Sequence, residues 1–517
     1  MGLRNSIIYL AKNIKLDKDY RSVLNYSETN LLNLVTNQSN LVYSSNDYSF
    51  IRDTGTIQLK ASYSTVCQAN YMAFQNKDYS NKWFFAFIDE VIYKGDACTE
   101  IRYTVDKWST WFSYWSPQAC FVIREHVVDD TLGLHTIPEQ LETGEYIATA
   151  HLYDARNQET TIVMGSNNDS ADWSIKEWGD VYNGIPSGVQ YYQFSNWSDV
   201  IQTIQGYASV GAVDTVSSLF IAPTWLTGNA RIIQGSSQTA RYTNTISRVT
   251  ALDGYTPVNK KLLCYPYCYI LATNGAGASA VFHQELWSLG QTSHEMEYEV
   301  HGVLCPGCSI RMYPLNYAGD DFGVDYGLTL GKFPQLNWPT DQYLNWLTQN
   351  GTNIFISAVS SGVSIGVGAV TGNPIAIASG VISAGQTVAQ LEQHELQPPQ
   401  LRGNLNSGDV NTALDINCFK FYRMTIKREY AQVLDNYLTK VGYKVNAIKV
   451  PNMGHRQNYN FVQIGAEDNV AIANNHNNIC PPASDLNEIN NLFRRGVTIW
   501  NNHTNLGDYS VSNNITN

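Results

Sequence analysis

Charge is what this sequence has least of. Asp, Glu, Lys and Arg supply only 15% of its 517 residues, against about a quarter in ordinary soluble domains. Asn, Ser and Thr fill the gap, beside 33 Tyr and 12 Trp. Aromatic content this high excludes a disordered chain, because it offers ample apolar area to bury. The charge that is present sums to −12. That excludes a surface built to grip DNA, since counterion release needs clustered Lys and Arg; composition does not choose between ordinary solubility, the commoner reason for such a balance, and a channel along which DNA slides without sticking. A secretory signal is also lacking: Ile7-Ile8-Tyr9-Leu10 is too short for its apolar core and is followed by Lys12. The nine Cys are odd in number, so reduced thiols, no disulfide and folding in a cytoplasm are expected.

Catalytic signatures are missing too. His294-Glu295 lacks the second His of a zinc-protease helix, and there is no nucleophile elbow, Walker loop or strand-to-helix GxGxxG. Gly275-Ala276-Gly277 reads as a hairpin turn. The best metal candidate joins Cys264 and Cys268 to Cys305-Pro306-Gly307-Cys308, with His283, His294 or His301. Cys264 and Cys268 sit in a strand-like run, where their spacing does not converge two thiolates, so buried thiols are expected instead. Paired carboxylates for cleaving a cell-wall glycan could be sought at Asp129/Asp130 or among Glu139, Glu142 and Glu145. Loop carboxylates ordinarily face solvent. The expectation is a non-enzyme with no catalytic residue, cofactor or metal.

The chain is long enough for several domains, and its pattern is β-rich with some helices, a mixed α+β class. Five segments suggest themselves: 1–145, β-rich; 146–255, mixed; 256–338, β; 339–402, apolar and uncharged; and 403–517, α/β. Ile57, Leu59, Ala61 and Tyr63 alternate as on one strand face. Lys82 to Tyr93 reads as a strand buried on both faces, Ile101 to Val105 as its neighbour across Gly95-Asp96, Lys107 to Tyr114 as a short helix, and Phe121 to Val127 as a strand. Val200, Ile201, Ile204 and Tyr207 predict a helix capped by Ser198 or Asp199, and Leu262 to Leu271 predicts a strand. Tyr430, Val433, Leu434, Tyr437, Leu438 and Val441 form a helical stripe closed by Gly442. A second helix capped by Ser484-Asp485 buries Leu486, Ile489, Leu492 and Phe493 and ends at Gly496.

One segment breaks this pattern. Residues 342–391 contain no Asp, Glu, Lys or Arg. The centre, Asn353 to Leu391, is written in Ile, Val, Ala, Gly, Ser and Thr, and Thr371-Gly372-Asn373-Pro374 divides it into two arms. Each arm, if helical, spans roughly 27 Å, near a bilayer's hydrocarbon thickness. The first arm carries Ile354, Phe355, Ile356, Val359, Gly362, Val363, Ile365, Gly366, Val367, Gly368 and Val370. Gly372 and Pro374 stand at the divide, and the second arm carries Ile375, Ile377, Gly380, Val381 and Ile382. Gly362/Gly366 and Gly368/Gly372 are small-residue pairs of the kind that let membrane helices approach closely. Serines at 357, 360, 361 and 364 make the first arm less apolar than a permanent membrane span. Three readings remain open from these residues: a buried helical hairpin, a segment that inserts in a membrane when released, and an irregular Gly/Ser loop.

Two long blocks carry a family resemblance. Tyr71-Met72-Ala73-Phe74-Gln75-Asn76-Lys77-Asp78-Tyr79-Ser80-Asn81-Lys82-Trp83-Phe84-Phe85-Ala86-Phe87 and Phe121-Val122-Ile123-Arg124-Glu125-His126-Val127 resemble stretches of the distal tail-tube, or tail-knob, proteins of small short-tailed Bacillus phages with protein-primed genomes. Thr136-Ile137, Gly144-Glu145-Tyr146, Tyr265-Pro266-Tyr267-Cys268, Pro398-Pro399-Gln400-Leu401, Gly442-Tyr443-Lys444-Val445-Asn446, Asn458-Tyr459-Asn460-Phe461-Val462-Gln463, Gly496-Val497-Thr498-Ile499-Trp500 and Gly507-Asp508-Tyr509-Ser510-Val511 follow in the same order, whereas 145–254 matches poorly. The resemblance implies a multidomain tail-tube subunit, β-rich in its wall, that assembles as a homohexameric ring or tube in the virion after synthesis in the host cytoplasm. Its implied partners are further copies of itself, the upper tail tube or connector, tail-tip proteins, the host cell membrane, and phage DNA passing through without specific binding. It further implies that the uncharged loops plug the lumen and then enter the membrane as a channel for genome ejection. A tail-tip adhesin or wall-degrading protein is the alternative.

Overall fold

A computed structural model describes residues 7–51, 55–76, 80–167, 181–182, 185–186, 188–209, 215–233, 241–275, 278–287, 295–306, 309–318, 328–330, 333, 335–336, 418–475 and 478–516. The chain divides into two units and does not visit them in simple succession. Met1–Thr143, Pro257–Leu262 and Glu429–Asn517 form one; Gly144–Thr256 and Leu263–Arg428 form the other. In this division 1–143 and 429–517 share a unit, and the strand Phe419–Ile426 falls in the other.

The first unit holds a seven-stranded antiparallel sheet in the order Leu41–Ser45, Ile8–Ala11, Tyr71–Asn76, Lys82–Gly95, Cys98–Val105, Thr56–Leu59, Tyr48–Ile51. Alternation puts Ile8, Leu10, Met72, Phe74, Ala86 and Ile101 into one core. Tyr71, Ala73, Phe85 and Phe87 point to a second core on the other side of the same strands. The long strand Lys82–Gly95 is thus buried on both faces only over its first half; Asp89, Glu90, Tyr93 and Lys94 are exposed. The alternation from Ile57 holds through Leu59. Ala61, just past the strand, still joins the same core, and the pattern breaks only at Tyr63, because Tyr63–Val66 turns into a short helix and leaves Tyr63 exposed.

A five-stranded sheet completes this unit, in the order Ser22–Leu24, Val497–Trp500, Tyr459–Ile464, Cys120–Glu125, Tyr443–Lys449. Only its first pair is parallel. The helix Ala483–Arg495 lays Ile489, Leu492 and Phe493 against it, together with Trp108, Trp111 and Trp115. Its cap lies at Pro482, just before the Ser484-Asp485 that the sequence suggested. Pro482 takes the cap position with its fixed φ, and Asp485 instead accepts the Trp111 indole N–H at 2.9 Å. In the helix Arg428–Val441 the buried positions are Ala431, Leu434, Asp435 and Leu438, while Val433 and Tyr437 of the expected stripe are exposed. The stripe misled because Asp435 is apolar neither in kind nor in surroundings: its carboxylate accepts the backbone N–H groups of Val258 at 2.8 Å and Asn259 at 3.0 Å, and the Asn259 amide at 2.7 Å.

The second unit contains three antiparallel sheets of four or five strands. One runs Tyr146–Asp154, Phe419–Ile426, Cys268–Thr273, Ser279–Phe282. The next runs Ile232–Ile233, Gln190–Phe194, Thr160–Ser166, Val216–Pro223, Gln335–Leu336. The last runs Arg241–Ser247, Glu295–Gly302, Ile310–Pro314, Leu328–Leu330. The helix Trp197–Ser209 buries Val200 and Ile204 against Ile162, Met164, Phe194 and Leu219 of the five-stranded sheet. Its start is earlier than expected, and Asn196 caps it by accepting the Asp199 N–H at 2.9 Å. Leu262 belongs to a turn of 3₁₀ helix, Lys260–Leu263, and the strand starts only at Cys268, after the Pro266 that cannot donate to a ladder.

Candidate functional site

The family block Phe121–Val127 lies on and just beyond the strand Cys120–Glu125, flanked by Tyr443–Lys449 and Tyr459–Ile464. Its three polar residues are all buried. Such groups are stable there only when fully partnered, and each one is. The Arg124 guanidinium donates to the Gly442 carbonyl at 2.8 Å and forms an ion pair with Glu139. Glu139 also pairs with the buried ammonium of Lys261 and accepts the Lys444 N–H at 2.9 Å. Glu125 pairs with Lys449 and accepts the Asn452 N–H at 2.8 Å. The Phe461 N–H donates to Nδ1 of His126 at 2.7 Å, so the proton of the neutral ring sits on Nε2, which donates to the Thr439 carbonyl at 2.9 Å.

Gly442 closes this arrangement. Its φ of +66° is left-handed, its N–H caps the preceding helix through the Leu438 carbonyl at 2.8 Å, and a Cβ there would meet the Glu125 carbonyl oxygen at 2.1 Å. Arg124, Glu125, His126 and Gly442 therefore tie one strand to its two neighbours and to a helix end. This is fold-holding chemistry, and nothing in it is free to act on a substrate.

Burial drives His126 down to about 4, with the nearby Arg456 cation adding to the effect and the Thr439 carbonyl opposing it. The unfolded chain takes up the proton near pH 6.5 and the folded one does not. Stability contributed by the neutral ring is therefore complete above pH 6.5 and falls progressively as pH drops towards 4, by roughly 3 kcal/mol. His126→Gln should flatten this dependence. Urea midpoints measured between pH 7 and pH 4.5 check it, and parallel pH profiles for the two proteins would refute it.

The carboxylates considered for hydrolysis are held in structural roles or stand in solvent. Asp130 accepts the Tyr443 hydroxyl at 2.7 Å and the Lys260 N–H at 3.1 Å, and burial raises its pKa. Asp129 is exposed and caps its own turn through Thr131, whose hydrogen bonds lower its pKa. Glu139 is neutralised by two cations, Glu142 is exposed, and Glu145 pairs at the surface with Lys427. Of the thiols considered for zinc, Cys264 and Cys268 are buried and Cys305 half-buried; burial pushes the Cys268 thiol far up. Cys308 and His294 lie outside the described residues. His283 stacks on Tyr265 with centroids 4.1 Å apart, and His301 faces Glu299 at 3.1 Å. Among the described residues no three His, Cys, Asp or Glu gather as metal ligands would.

The other long family block contains a feature that its letters did not reveal. Lys82 is buried with its ammonium 3.1 Å from Glu28 and 2.7 Å from the Thr110 carbonyl, 3.8 Å from the Tyr114 ring centre and 4.9 Å from that of Trp111. Burial lowers its pKa to about 8, against the pull of Glu28. A lysine opening an aromatic run was the only sequence signal for this cage.

The segment proposed to enter membranes, Asn353 to Leu391 with all its named residues, lies outside the described residues. The description stops at Leu336, in an edge strand of the five-stranded sheet, and resumes at Cys418, next to a central strand of a four-stranded one. Among the described residues no helix is long and apolar enough to cross a membrane.

Comparison with known proteins places this framework. Residues 4–115 match the model of the caudoviral major tail protein N-terminus. The chain is 26% identical to the tail knob protein gp9 of Bacillus phage phi29, over 86% of this chain and 88% of that protein. It is 25% identical to the tail knob protein gp9 of Bacillus phage B103, over 99% of each. The solved tail knob protein gp12 of bacteriophage C1 superimposes with a TM-score of 0.65 at 14% identity, over 99% of this chain and all of that one, so the β-rich multidomain fold is shared. Residues 232–514, more than half of the sequence, match the model of the phi29 tail knob protein gp9 C-terminal domain, and the chain accordingly belongs to the gp9 tail-knob family, a structural component of the tail of a short-tailed phage.

Proposed function

We infer that six copies of this chain form the distal tube of the phage tail, that phage DNA leaves through it, and that residues 353–391 close the lumen before ejection and enter the host cell membrane during it. The observation that carries the reading is the uncharged stretch 342–391 in a tail-knob protein. A helical arm of that composition satisfies its own backbone amides and brings no charge into hydrocarbon, so inserting it is physically permitted. The acidic balance of −12 supports passage of DNA without retention. Upper-tail and tip proteins are the partners such a tube requires at its two ends.

Two measurements test this. Electron micrographs of the purified protein, alone or with upper tail, are expected to show six-fold rings or tubes; a protein that stays monomeric and never enters particles overturns the tube. Dye-loaded liposomes are expected to leak with the intact protein and not with a variant lacking residues 353–391. Equal leakage from both removes membrane insertion by this segment, and collapse of the fold on deletion assigns it to the core instead.

A further inference from the structure

Between the two stretches that match family models, residues 4–115 and 232–514, lies an open groove of about 910 Å³, within the range of small-ligand sites. Its walls are the start of the strand Thr160–Ser166, the end of Gln190–Phe194, the first turns of the helix Trp197–Ser209, and the loop 228–231. The lining is held rigidly from below. Gln193 donates through its amide to the Gly228 carbonyl at 2.9 Å, and its N–H bonds the Arg231 carbonyl at 2.8 Å. Thr161 donates to the Phe194 carbonyl at 2.9 Å.

Five further polar side chains of the lining are, by contrast, exposed and without a polar partner among the described residues. The side chains of Glu159, Ser195, Gln202 and Asn229 make no hydrogen bond to any described residue, and Arg231 has no ion-pair partner among them. Arg231 rests instead over the Phe194 ring, 5.7 Å from its centre. The groove thus brings together the carboxylates of Glu159 and Asp199, the amides of Gln202 and Asn229, the Ser195 hydroxyl and a steadied guanidinium, with acceptors and donors mixed along one lining.

We propose that this groove binds a neutral oligosaccharide. Vicinal sugar hydroxyls donate and accept at once, and planar carboxylate, amide and guanidinium groups are the side chains that answer them in pairs. A phosphodiester polymer is disfavoured because two carboxylates, Glu159 and Asp199, stand against the single Arg231. The proposal does not rest on the membrane reading: the residues are remote in sequence from 342–391, and binding requires neither insertion nor ring formation. It would give a tail-knob subunit a direct contact with glycan at the surface it crosses.

The test is saturation-transfer NMR on the full chain with two probes, a β-1,4-linked glucose tetramer and a β-1,4-linked N-acetylglucosamine tetramer, beside a glycerol-phosphate oligomer. Transfer to the ring protons of at least one tetrasaccharide is expected. The double variant Glu159→Gln, Gln202→Ala should weaken that binding at least tenfold, with its thermal transition unchanged because both side chains are exposed. Asn244→Ala, outside the groove, should bind like the parent. Absence of transfer to both sugars, transfer confined to the phosphate oligomer, or undiminished binding by the double variant overturns the proposal.

Discussion

Liposomes loaded with a self-quenching dye are expected to remain sealed in the presence of Val363→Asp or Ile377→Lys, under conditions in which the parent protein empties them. One charged side chain at the centre of a membrane-spanning helix costs about 2.5–3.5 kcal/mol. In a six-membered tube every subunit would carry the same charge, so the penalty recurs six times on one channel. Even at the lower figure the product exceeds what any single contact could offset, and leakage should fall to background rather than merely slow. Entry into rings or particles should suffer less than leakage does, if the segment is loosely held before release. Val363→Leu, which changes shape but not charge, serves as the control and should leak like the parent. Leakage by both charged variants at the parental rate would refute passage of these arms through hydrocarbon.

A comparable loss, of stability rather than of leakage, is expected at Glu139→Ala. Glu139 is buried between the Arg124 guanidinium and the Lys261 ammonium and also accepts the Lys444 N–H at 2.9 Å. Removing it leaves two buried cations and one backbone donor unmatched, and truncating one partner of a buried ion pair typically destabilises by about 3–5 kcal/mol. The urea-unfolding transition followed by tryptophan fluorescence should shift accordingly. Combining Glu139→Leu with Arg124→Met and Lys261→Met removes all three charges together, and should recover most of the loss, because the penalty arises from unmatched charge rather than from the missing bridge. A shift below about 1 kcal/mol for Glu139→Ala would show the cluster to be solvated in solution.

These expectations differ in how far the sequence announced them. The strand Cys98–Val105 was legible because it has one face on a core, which writes period-two alternation into the residues. Gly442 and Gly496 were legible as helix ends because both stand at left-handed φ, +66° and +89°. Asp435 was not, since a carboxylate buried against the Val258 and Asn259 amides is specified by residues far away in sequence. Cys264 and Cys268 looked like one strand because aromatic and β-branched neighbours hid the Pro266 break. The Arg124–Glu139–Lys261 cluster was unreadable for the same reason as Asp435. Each of its members looks like an ordinary loop or strand charge until distant segments meet. Uncharged composition over 342–391 needed no tertiary knowledge to see, but by itself it left three readings open, and the membrane reading came from the family resemblance.

The parallel pairing of Ser22–Leu24 with Val497–Trp500, in register Ser22 with Thr498, Val23 with Ile499 and Leu24 with Trp500, bears on the order in which the protein can be made. The strand that Leu24 needs leaves the ribosome only after the whole of the segment between the two has been made. At about 5–20 residues per second, the interval between the two is on the order of half a minute to a minute and a half. Throughout it, Val23 and Leu24, both buried in the finished fold, have no sheet to join, and the cluster around Trp108 and Trp111 lacks the helix Ala483–Arg495 that covers it. The other unit, Gly144–Thr256 with Leu263–Arg428, is emitted whole during this wait. A chain released before Val497 would therefore present an incomplete five-stranded sheet with an open edge, and would be a substrate for proteolysis rather than a building block of the tail.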